Sequence, residues 1–433
     1  QKKKLAKQLA ACRTEQGLSK ASLEHYLKVC GKQFSKLLSS QQVQAEADRV
    51  WCGVERCLFG NGKELHFKKL MDFDTIGGKS NKNGARFDLD AMYVNWLGLS
   101  LKCYLPKSEN SLSYVWESLK GKISYCNIKR LMFSSGWRYY AEIVVSGDAP
   151  TRVLIGTSTM GIDPGVSTIA GVSEDACVLE ELAPNAIQYE KKIQKISQSM
   201  DRSRRISNPN KYNEDGTINC SNRDPWKYSK NYVKMRRLLK SLYRKKHAYI
   251  IDSHRELCNK LITIAKYFPV EKMHFQALQK KAKETKRQEK KTEVNQKDGT
   301  VKVIQKYKRK KRFGRSINRR APARFLLELE RKVESVGGVY AEVDTKEFKA
   351  SQYNHVTDTY EKIPLSQREK EIGKRKVQRD LYSAFLIRNA DLDFKHPDRE
   401  KCEYEFEYFA DMQDQLILKM KESGLSMRQC FGF

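Results

Sequence analysis

The stretch Met160-Gly161-Ile162-Asp163-Pro164-Gly165 decides how this chain is read. An apolar run leads into Asp163-Pro164-Gly165 and a second one ends at Val172, the pattern of a strand, a tight turn and another strand. Two other acids occupy comparable places. Glu271 lies in Val270-Glu271-Lys272-Met273, where Phe268 to Phe275 reads as a short strand after Pro269 breaks a helix. Asp380 lies in Gln378-Arg379-Asp380-Leu381, at the start of a helix that buries Leu381, Ala384, Phe385 and Ile387.

Each acid alone has an ordinary explanation. Asp-Pro-Gly is a common turn, a strand glutamate is often simply exposed, and aspartate in a first helical turn favours the cap and dipole. As an ordered set on a strand, a strand and a helix, they point to chemistry. Converging carboxylates repel one another unless a divalent cation neutralises them, and hard oxygen ligands select Mg2+ or Mn2+. Two such ions about 3.5 to 4 Å apart serve phosphodiester hydrolysis.

The composition says which polymer. The 433 residues include 83 Lys or Arg against 52 Asp or Glu, a net charge of +31, far beyond what solubility needs and suited to a nucleic-acid partner. Hydrophobic content of 39% excludes a wholly disordered basic tail. The charge is concentrated in 280–320, with 18 Lys or Arg against 4 Asp or Glu. Its middle, Thr285 to Lys302, reads as a flexible insertion. Its end interleaves rings with cations in Tyr307-Lys308-Arg309-Lys310-Lys311-Arg312-Phe313-Gly314-Arg315, which suits phosphate contact and base stacking. Lys280, Lys281, Arg319 and Arg320 extend this set of candidate nucleic-acid contacts; the alternative is a solvated charge run.

The remaining chain falls into segments by periodicity. Residues 1–60 repeat apolar positions at three and four (Leu23, Tyr26, Leu27, Cys30, Phe34) and read as helical. Residues 61–152 alternate, as in Trp137, Tyr139, Ala141, Ile143 and Val145, and read as a small β-rich domain resembling a barrel. From Trp226 to Tyr267 the helical period returns on a basic background, as one long helix or a helix pair. A helix over Ala323 to Val336 and a strand over Val339 to Val343 follow. The fold class expected is therefore multidomain α+β, with alternating strands and helices through 153–433.

Eleven cysteines without one C-x-x-C pair read as reduced thiols, and Cys52, Cys57 and His66 supply too few ligands for zinc. No run approaches the roughly 18 apolar residues of a membrane span, so a cytoplasmic protein without a membrane partner is expected. Gln1 stands where a methionine would begin a chain, and residues before it are expected.

The three motifs resemble those of RuvC nuclease domains, which have an RNase H-like fold: Gly161-Ile162-Asp163-Pro164-Gly165 the first, Val270-Glu271-Lys272-Met273 the second and Arg379-Asp380-Leu381-Tyr382-Ser383-Ala384 the third. Their spacing of 108 and 109 residues is similar to that of the split RuvC domain of TnpB proteins, transposon-encoded relatives of compact type V CRISPR effectors. Lys349-Ala350-Ser351-Gln352-Tyr353-Asn354-His355 also resembles TnpB. The resemblance implies that Asp163, Glu271 and Asp380 are the catalytic metal ligands, with two Mg2+ or Mn2+ ions as cofactor. It implies a guide RNA and target DNA as partners, and Ser351, Gln352 and Tyr353 as further nucleic-acid contacts. The helical segment would be a recognition lobe and the β-rich one a wedge domain. One departure is plain: TnpB proteins carry a four-cysteine zinc finger, whereas 351–378 is free of cysteine. No zinc is expected, and the subdomain would be held by packing through Tyr353, Tyr360, Ile363 and Leu365.

The function expected is RNA-guided DNA cleavage. Three other readings stand beside it: an RNA-guided DNA-binding repressor without cleavage, a DNA-strand-transferring transposase, and an actin-like ATPase, which lacks support because no Gly-rich phosphate loop is present.

Overall fold

Strand and helix periods separate cleanly in the computed structural model, which describes residues 2–60, 62–68, 72–214, 216–279, 287–295, 301–307, 313–364, 366–427 and 429–431. The chain forms two units, residues 1–150 with 203–241, and residues 151–202 with 242–433. The helical and β-rich segments thus share one unit with residues 203–241.

The first unit opens with α1 (Lys2–Glu15), α2 (Lys20–Gly31) and α3 (Ser40–Leu58). A reciprocal cap starts α3: Gln42 N–H donates to Ser39 Oγ at 3.4 Å, and Ser39 N–H donates to Gln42 Oε1 at 2.7 Å. Then come β1 (Thr75–Gly77), β2 (Arg86–Asp88), β3 (Tyr93–Trp96), β4 (Leu99–Lys102), α4 (Glu109–Leu119), β5 (Lys122–Phe133) and β6 (Gly136–Ser146). The strands pair antiparallel as two three-stranded sheets, β1-β5-β6 and β2-β3-β4, in place of the expected barrel. Phe87, Val94, Leu119 and Cys126 form the core of this part.

The second unit is built on a mixed sheet. Its strands are β7 (Ser158–Thr159), β8 (Gly161–Pro164), β9 (Thr168–Val172) and β10 (Cys177–Glu181), joined after helices α5 (Ala186–Ser207) and α6 (Lys230–Ile264) by β11 (Ala265–Glu271). Next come α7 (Phe275–Gln279), a hairpin of β12 (Arg287–Asn295) and β13 (Val301–Tyr307), α8 (Gly314–Arg320), α9 (Pro322–Ser335) and β14 (Val339–Val343). The order is β10-β9-β8-β11-β14, with β7 also beside β11. β8, β9 and β10 form an antiparallel meander, while β11 runs parallel to β8 and to β14. The chain closes with α10 (Thr345–Phe348), two small hairpins of β15 (Tyr353–Asn354) with β16 (Thr359–Tyr360) and β17 (Glu369–Ile372) with β18 (Arg375–Gln378), then α11 (Arg379–Arg388) and α12 (Arg399–Glu422).

Successive strand residues face opposite sides of a sheet, and here both sides are covered. Ile162, Ile169, Val178 and Val270 pack on one face against Leu257 and Leu261 of α6 and Phe325 and Leu329 of α9. Ala170, Val172, Leu179 and Val343 pack on the other against Leu381 and Phe385 of α11 and Phe406 and Phe409 of α12. Each fully buried Val, Leu, Ile or Phe side chain of this kind contributes about 1.5 to 3 kcal/mol.

Three expectations are corrected. First, Pro269 does not end the basic helix: α6, the single long helix of the two alternatives, covers Lys230–Ile264 and gives way at the β-branched run Ile262-Thr263-Ile264 to strand β11. Pro269 is tolerated inside β11 because it falls between the residues registered with β7 (Ala265, Tyr267) and the one registered with β8 (Val270). Second, the segment expected to be flexible contains the β12–β13 hairpin, where Thr292 opposes Ile304 and Val294 opposes Lys302. Third, the strand carrying Glu271 ends at that residue, and Phe275 opens α7.

Among the described residues no helix is long and apolar enough to cross a membrane, and all eleven cysteines are free thiols.

Candidate active site

The sheet's alternation aims two of the three acids at the same helix. Ile162 and Val270 are register partners in the parallel β8–β11 pair, and both side chains point into the α6/α9 core. The next residue in each strand, Asp163 and Glu271, therefore points to the opposite face, where α11 lies. Glu271 is the last residue of β11, so both carboxyls stand at the carboxyl ends of adjacent parallel strands, where open α/β sheets commonly place their sites.

Gly161 sets how closely α11 approaches. It shares a face with Asp163, and a Cβ there would lie 2.2 Å from the Ala384 carbonyl oxygen and 2.3 Å from the Arg388 nitrogen. The helix thus rests directly on the strand backbone, with the fully buried Ala384 at the contact. Gln378 caps its start: Oε1 accepts from Leu381 N–H at 2.7 Å, while Gln378 N–H donates to Gln413 Oε1 of α12 at 2.7 Å. Asp380 follows in the first turn.

The structure brings Asp163, Glu271 and Asp380 into one electrostatic group. Asp163 is pushed well above the usual carboxylate range, first by burial, then by the charges of Glu271 and Asp380, with Arg379 opposing. Glu271, 8% exposed, is also raised, first by burial; its hydrogen bond with Asp163 and one from Thr345 pull the other way. A hydrogen bond between two carboxyls requires a proton between them. Asp380 faces this pair but its oxygens are taken. Arg379 donates to Oδ1 from Nη2 at 2.9 Å and Nε at 3.1 Å, and Arg368 donates to Oδ2 from Nη1 at 3.2 Å.

That arrangement matches hard-cation chemistry in its donors but not in its present geometry. Among the described residues no three His, Cys, Asp or Glu side chains surround a common point as metal ligands do. Asp163 and Glu271 form the half that fits, a buried carboxyl pair in which burial favours the protonated forms. Asp380 lies outside that half, its oxygens held by the two guanidiniums.

A pH dependence follows from the raised pair. Both folded-state pKa values lie above those of the unfolded chain, so the folded form holds protons that the unfolded chain has released. Stability contributed this way is fully present below the ordinary carboxyl value of about 4 and is lost as pH rises through the raised values. Asp163→Asn removes the conflict. In EDTA it is expected to unfold at a higher temperature than the parent at neutral pH, the gap closing towards about pH 4. Thermal melts across pH read this directly; a gap independent of pH would mean that the pair does not share a proton.

The other candidate contacts divide. Lys280, Lys281, Lys308, Arg309, Lys310, Lys311 and Arg312 lie outside the described residues, as does Leu365. Arg315 is exposed at the start of α8. Arg319 and Arg320 are turned inward: Arg319 Nη2 pairs with Glu190 Oε2 of α5 at 2.7 Å, and Arg320 pairs with Glu181 of β10. Ser351 is exposed and Gln352 half-buried, but Tyr353 is buried, its hydroxyl donating to Asp358 Oδ1 at 2.9 Å and its carbonyl accepting from Lys370 Nζ at 2.6 Å. Tyr353 therefore anchors the cysteine-free subdomain, together with His355, whose Nδ1 meets the Tyr382 hydroxyl of α11 at 2.8 Å.

Four residues at the site escaped sequence reading: Thr345, Arg368, Gln378 and Arg379. Only Arg379 and Gln378 carried a signal, by adjacency to Asp380.

No protein-family model and no curated protein matches the chain. Two of the solved structures it is similar to are these. One, described as a cryo-EM structure of the Cas12f1-sgRNA-target DNA complex, matches with a TM-score of 0.48 and 13% identity over 85% of this chain and 75% of that one. The other, described as a cryo-EM structure of a CRISPR-Cas12f ternary complex, matches with a TM-score of 0.30 and 15% identity over 88% of this chain and 75% of that one.

Proposed function

We propose that this protein is an RNA-guided DNA endonuclease of the TnpB kind, whose second unit is an RNase H-like, RuvC-type nuclease domain dependent on Mg2+ or Mn2+. The observation that carries the proposal is the register of β8 with β11, which sets Asp163 beside Glu271 facing the helix that bears Asp380. Three acids from segments more than a hundred residues apart have no structural need to meet. The net charge of +31 and the motif resemblance support nucleic acid as the substrate and guide RNA with target DNA as the partners.

Asp163, Glu271 and Asp380 would hold the ions, which when bound supply charge stabilisation at the phosphodiester oxygens and promote attack by water. The chain's own residues do the rest. The Thr345 hydroxyl donates to the Lys272 carbonyl at 2.6 Å and so steadies the backbone beside Glu271, and the Gln378 cap with the Gly161 contact fixes the direction of α11. Arg368 and Arg379 keep Asp380 neutralised until the site fills, and their guanidiniums suit the phosphates of an incoming strand.

Arg368 competes with cation for Asp380, so Arg368→Gln is expected to tighten Mn2+ binding a few-fold, in keeping with the ~0.2 to 1 kcal/mol of a solvent-accessible ion pair. Titration of free Mn2+ by electron paramagnetic resonance measures it. Unchanged or weaker binding would show that Arg368 does not stand in the ion's way.

The same observation favours one second reading, RNA-guided DNA binding without cleavage, since Asp380 is already neutralised by arginine. Purification with co-expressed RNA, followed by challenge with a DNA library in Mg2+, separates the two. Cut DNA supports the first reading, whereas retained but intact DNA supports the second.

A further inference from the structure

The β17–β18 hairpin is a two-stranded sheet, and at its outer edge a side chain takes the place of a third strand. Glu369 stands opposite Gln378 and Lys370 opposite Val377, and Arg379 N–H donates to the Arg368 carbonyl across the ladder at 2.8 Å. Backbone groups alternate in direction along an antiparallel strand, so those of Lys376 and Gln378 point to the other edge. There Gln413 of α12 meets both. Its Oε1 accepts from Gln378 N–H at 2.7 Å, and its Nε2 donates to the Lys376 carbonyl at 3.2 Å. One residue of a parallel neighbouring strand would make the same two bonds, to the carbonyl before and the N–H after the residue it faces.

This contact leads directly to the site. Gln378 and Gln413 are both fully buried, so water has no access to replace a lost bond, and a buried N–H left without an acceptor is costly. Gln378 in turn caps α11: its Oε1 accepts from Leu381 N–H at 2.7 Å, and its Nε2 lies 3.5 Å from Asp380 Oδ2. The path from α12 to the carboxylate therefore has two steps, Gln413 to Gln378 and Gln378 to the first turn of α11. A second grip exists, since Arg375 at the start of β18 pairs with Asp411 and Asp414 of α12. Those carboxylates are exposed, and exposed ion pairs hold weakly. The buried amide is the stronger fastening, and it is the one at the end of the strand next to Asp380.

We propose that Gln413 is a positioning residue for Asp380, fixing through Gln378 where β18 ends and where α11 begins. The inference rests on the metal-dependent nuclease reading and adds to it a residue that acts on the third acid from a separate helix.

The test uses the full chain. Gln413→Met keeps the length of the side chain and removes both bonds; Gln413→Asn keeps the amide but withdraws it by one carbon, and serves if the first variant does not fold. Ile417→Ala, one turn further along α12 and also buried, is the control for general loosening, because it opens a cavity and takes away no hydrogen bond. In EDTA, hydrogen exchange read by mass spectrometry should show the segment from Lys376 to Ser383 exchanging about 10-fold faster in the Gln413 variants. Mn2+ affinity, read by electron paramagnetic resonance, should fall about 10-fold, the usual scale for losing a group that orients a metal ligand. In cleavage, kcat should fall with KM for DNA unchanged. Ile417→Ala should lower the melting temperature at least as far while exchange in that segment and Mn2+ affinity stay near the parent.

Parent-like exchange and Mn2+ affinity in the Gln413 variants overturn the positioning role and leave the nuclease reading intact. Equal losses in Ile417→Ala overturn it as well, because they assign Gln413 to general packing. A parent that neither binds Mn2+ nor cuts DNA overturns the nuclease reading and this inference with it.

Discussion

Asp163→Ala is expected to reduce Mg2+-dependent strand cleavage by about 10³-fold or more while leaving salt-sensitive RNA and DNA binding close to the parent level. The size follows from the several kcal/mol of charge stabilisation a catalytic metal supplies, at 1.36 kcal/mol for each factor of ten. The separation follows from the placement. Asp163 sits at the end of β8, facing Glu271 and α11, and is a buried acid and not a cation, so its removal takes nothing from the cationic surface that grips phosphate. Because the alanine variant also removes a buried carboxyl that burial and the charges of Glu271 and Asp380 disfavour, loss of activity should not come with loss of fold. Cleavage assays with labelled DNA, paired with filter binding at several salt concentrations, read both quantities. Parallel loss of cleavage and binding would assign Asp163 a structural role instead.

The second large effect belongs to a residue that touches no substrate. Gly161→Ala places a methyl group 2.2 Å from the Ala384 carbonyl oxygen and 2.3 Å from the Arg388 nitrogen, in the middle of the helix backbone, where no side chain can swing aside. Either α11 lifts from β8 or the strand bends. Overpacking of this kind costs about 1 to 3 kcal/mol and at times more. At about 2 to 4 °C per kcal/mol for a unit of this size, the melting temperature should fall by several degrees. Activity should fall further than stability, on the order of 10²-fold, because a displacement of about 1 Å at Asp380 spoils the geometry of a site that depends on three carboxylates meeting. Thermal melts and cleavage rates together decide it. A variant that melts and cuts like the parent would mean that α11 does not rest on the strand as closely as the structure places it.

Gly161 also shows where sequence reading stops. The pattern of Met160 to Gly165 was legible as a strand and turn, and so was Asp163 at its end. What that pattern does not carry is the partner: nothing in a single sequence says that β8 registers with β11 at Ile162 and Val270, or that α11 lies across it. Local periodicity fixes which residues share a face, and long-range pairing fixes which faces meet. The acids could therefore be named from the sequence, whereas Arg368 and Thr345, which reach the site only through the β17–β18 hairpin and the turn after β14, could not.

Charge misled for a related reason. Composition counts cations but not their counter-ions, and Arg319 finds Glu190 from 129 residues away. Lys246 Nζ joins the same carboxylate at 3.0 Å, so these cations fasten α5, α6 and α8 together. At Tyr353, expected both as a nucleic-acid contact and as a packing residue of its subdomain, the ring lies in the core beside Phe348 and Tyr382. By contrast, Tyr104 and Tyr139 stand exposed in a segment that the sequence offered only as alternating β structure.

The central claim is that Asp163, Glu271 and Asp380 together coordinate a divalent cation, and anomalous scattering from Mn2+ in crystals of the full chain tests it most directly. The account predicts an anomalous peak within about 2.0 to 2.6 Å of carboxylate oxygens from all three residues, with Asp380 turned away from Arg368. A peak bound elsewhere, or no peak at saturating Mn2+ with Asp380 still held by Arg368 and Arg379, would contradict it.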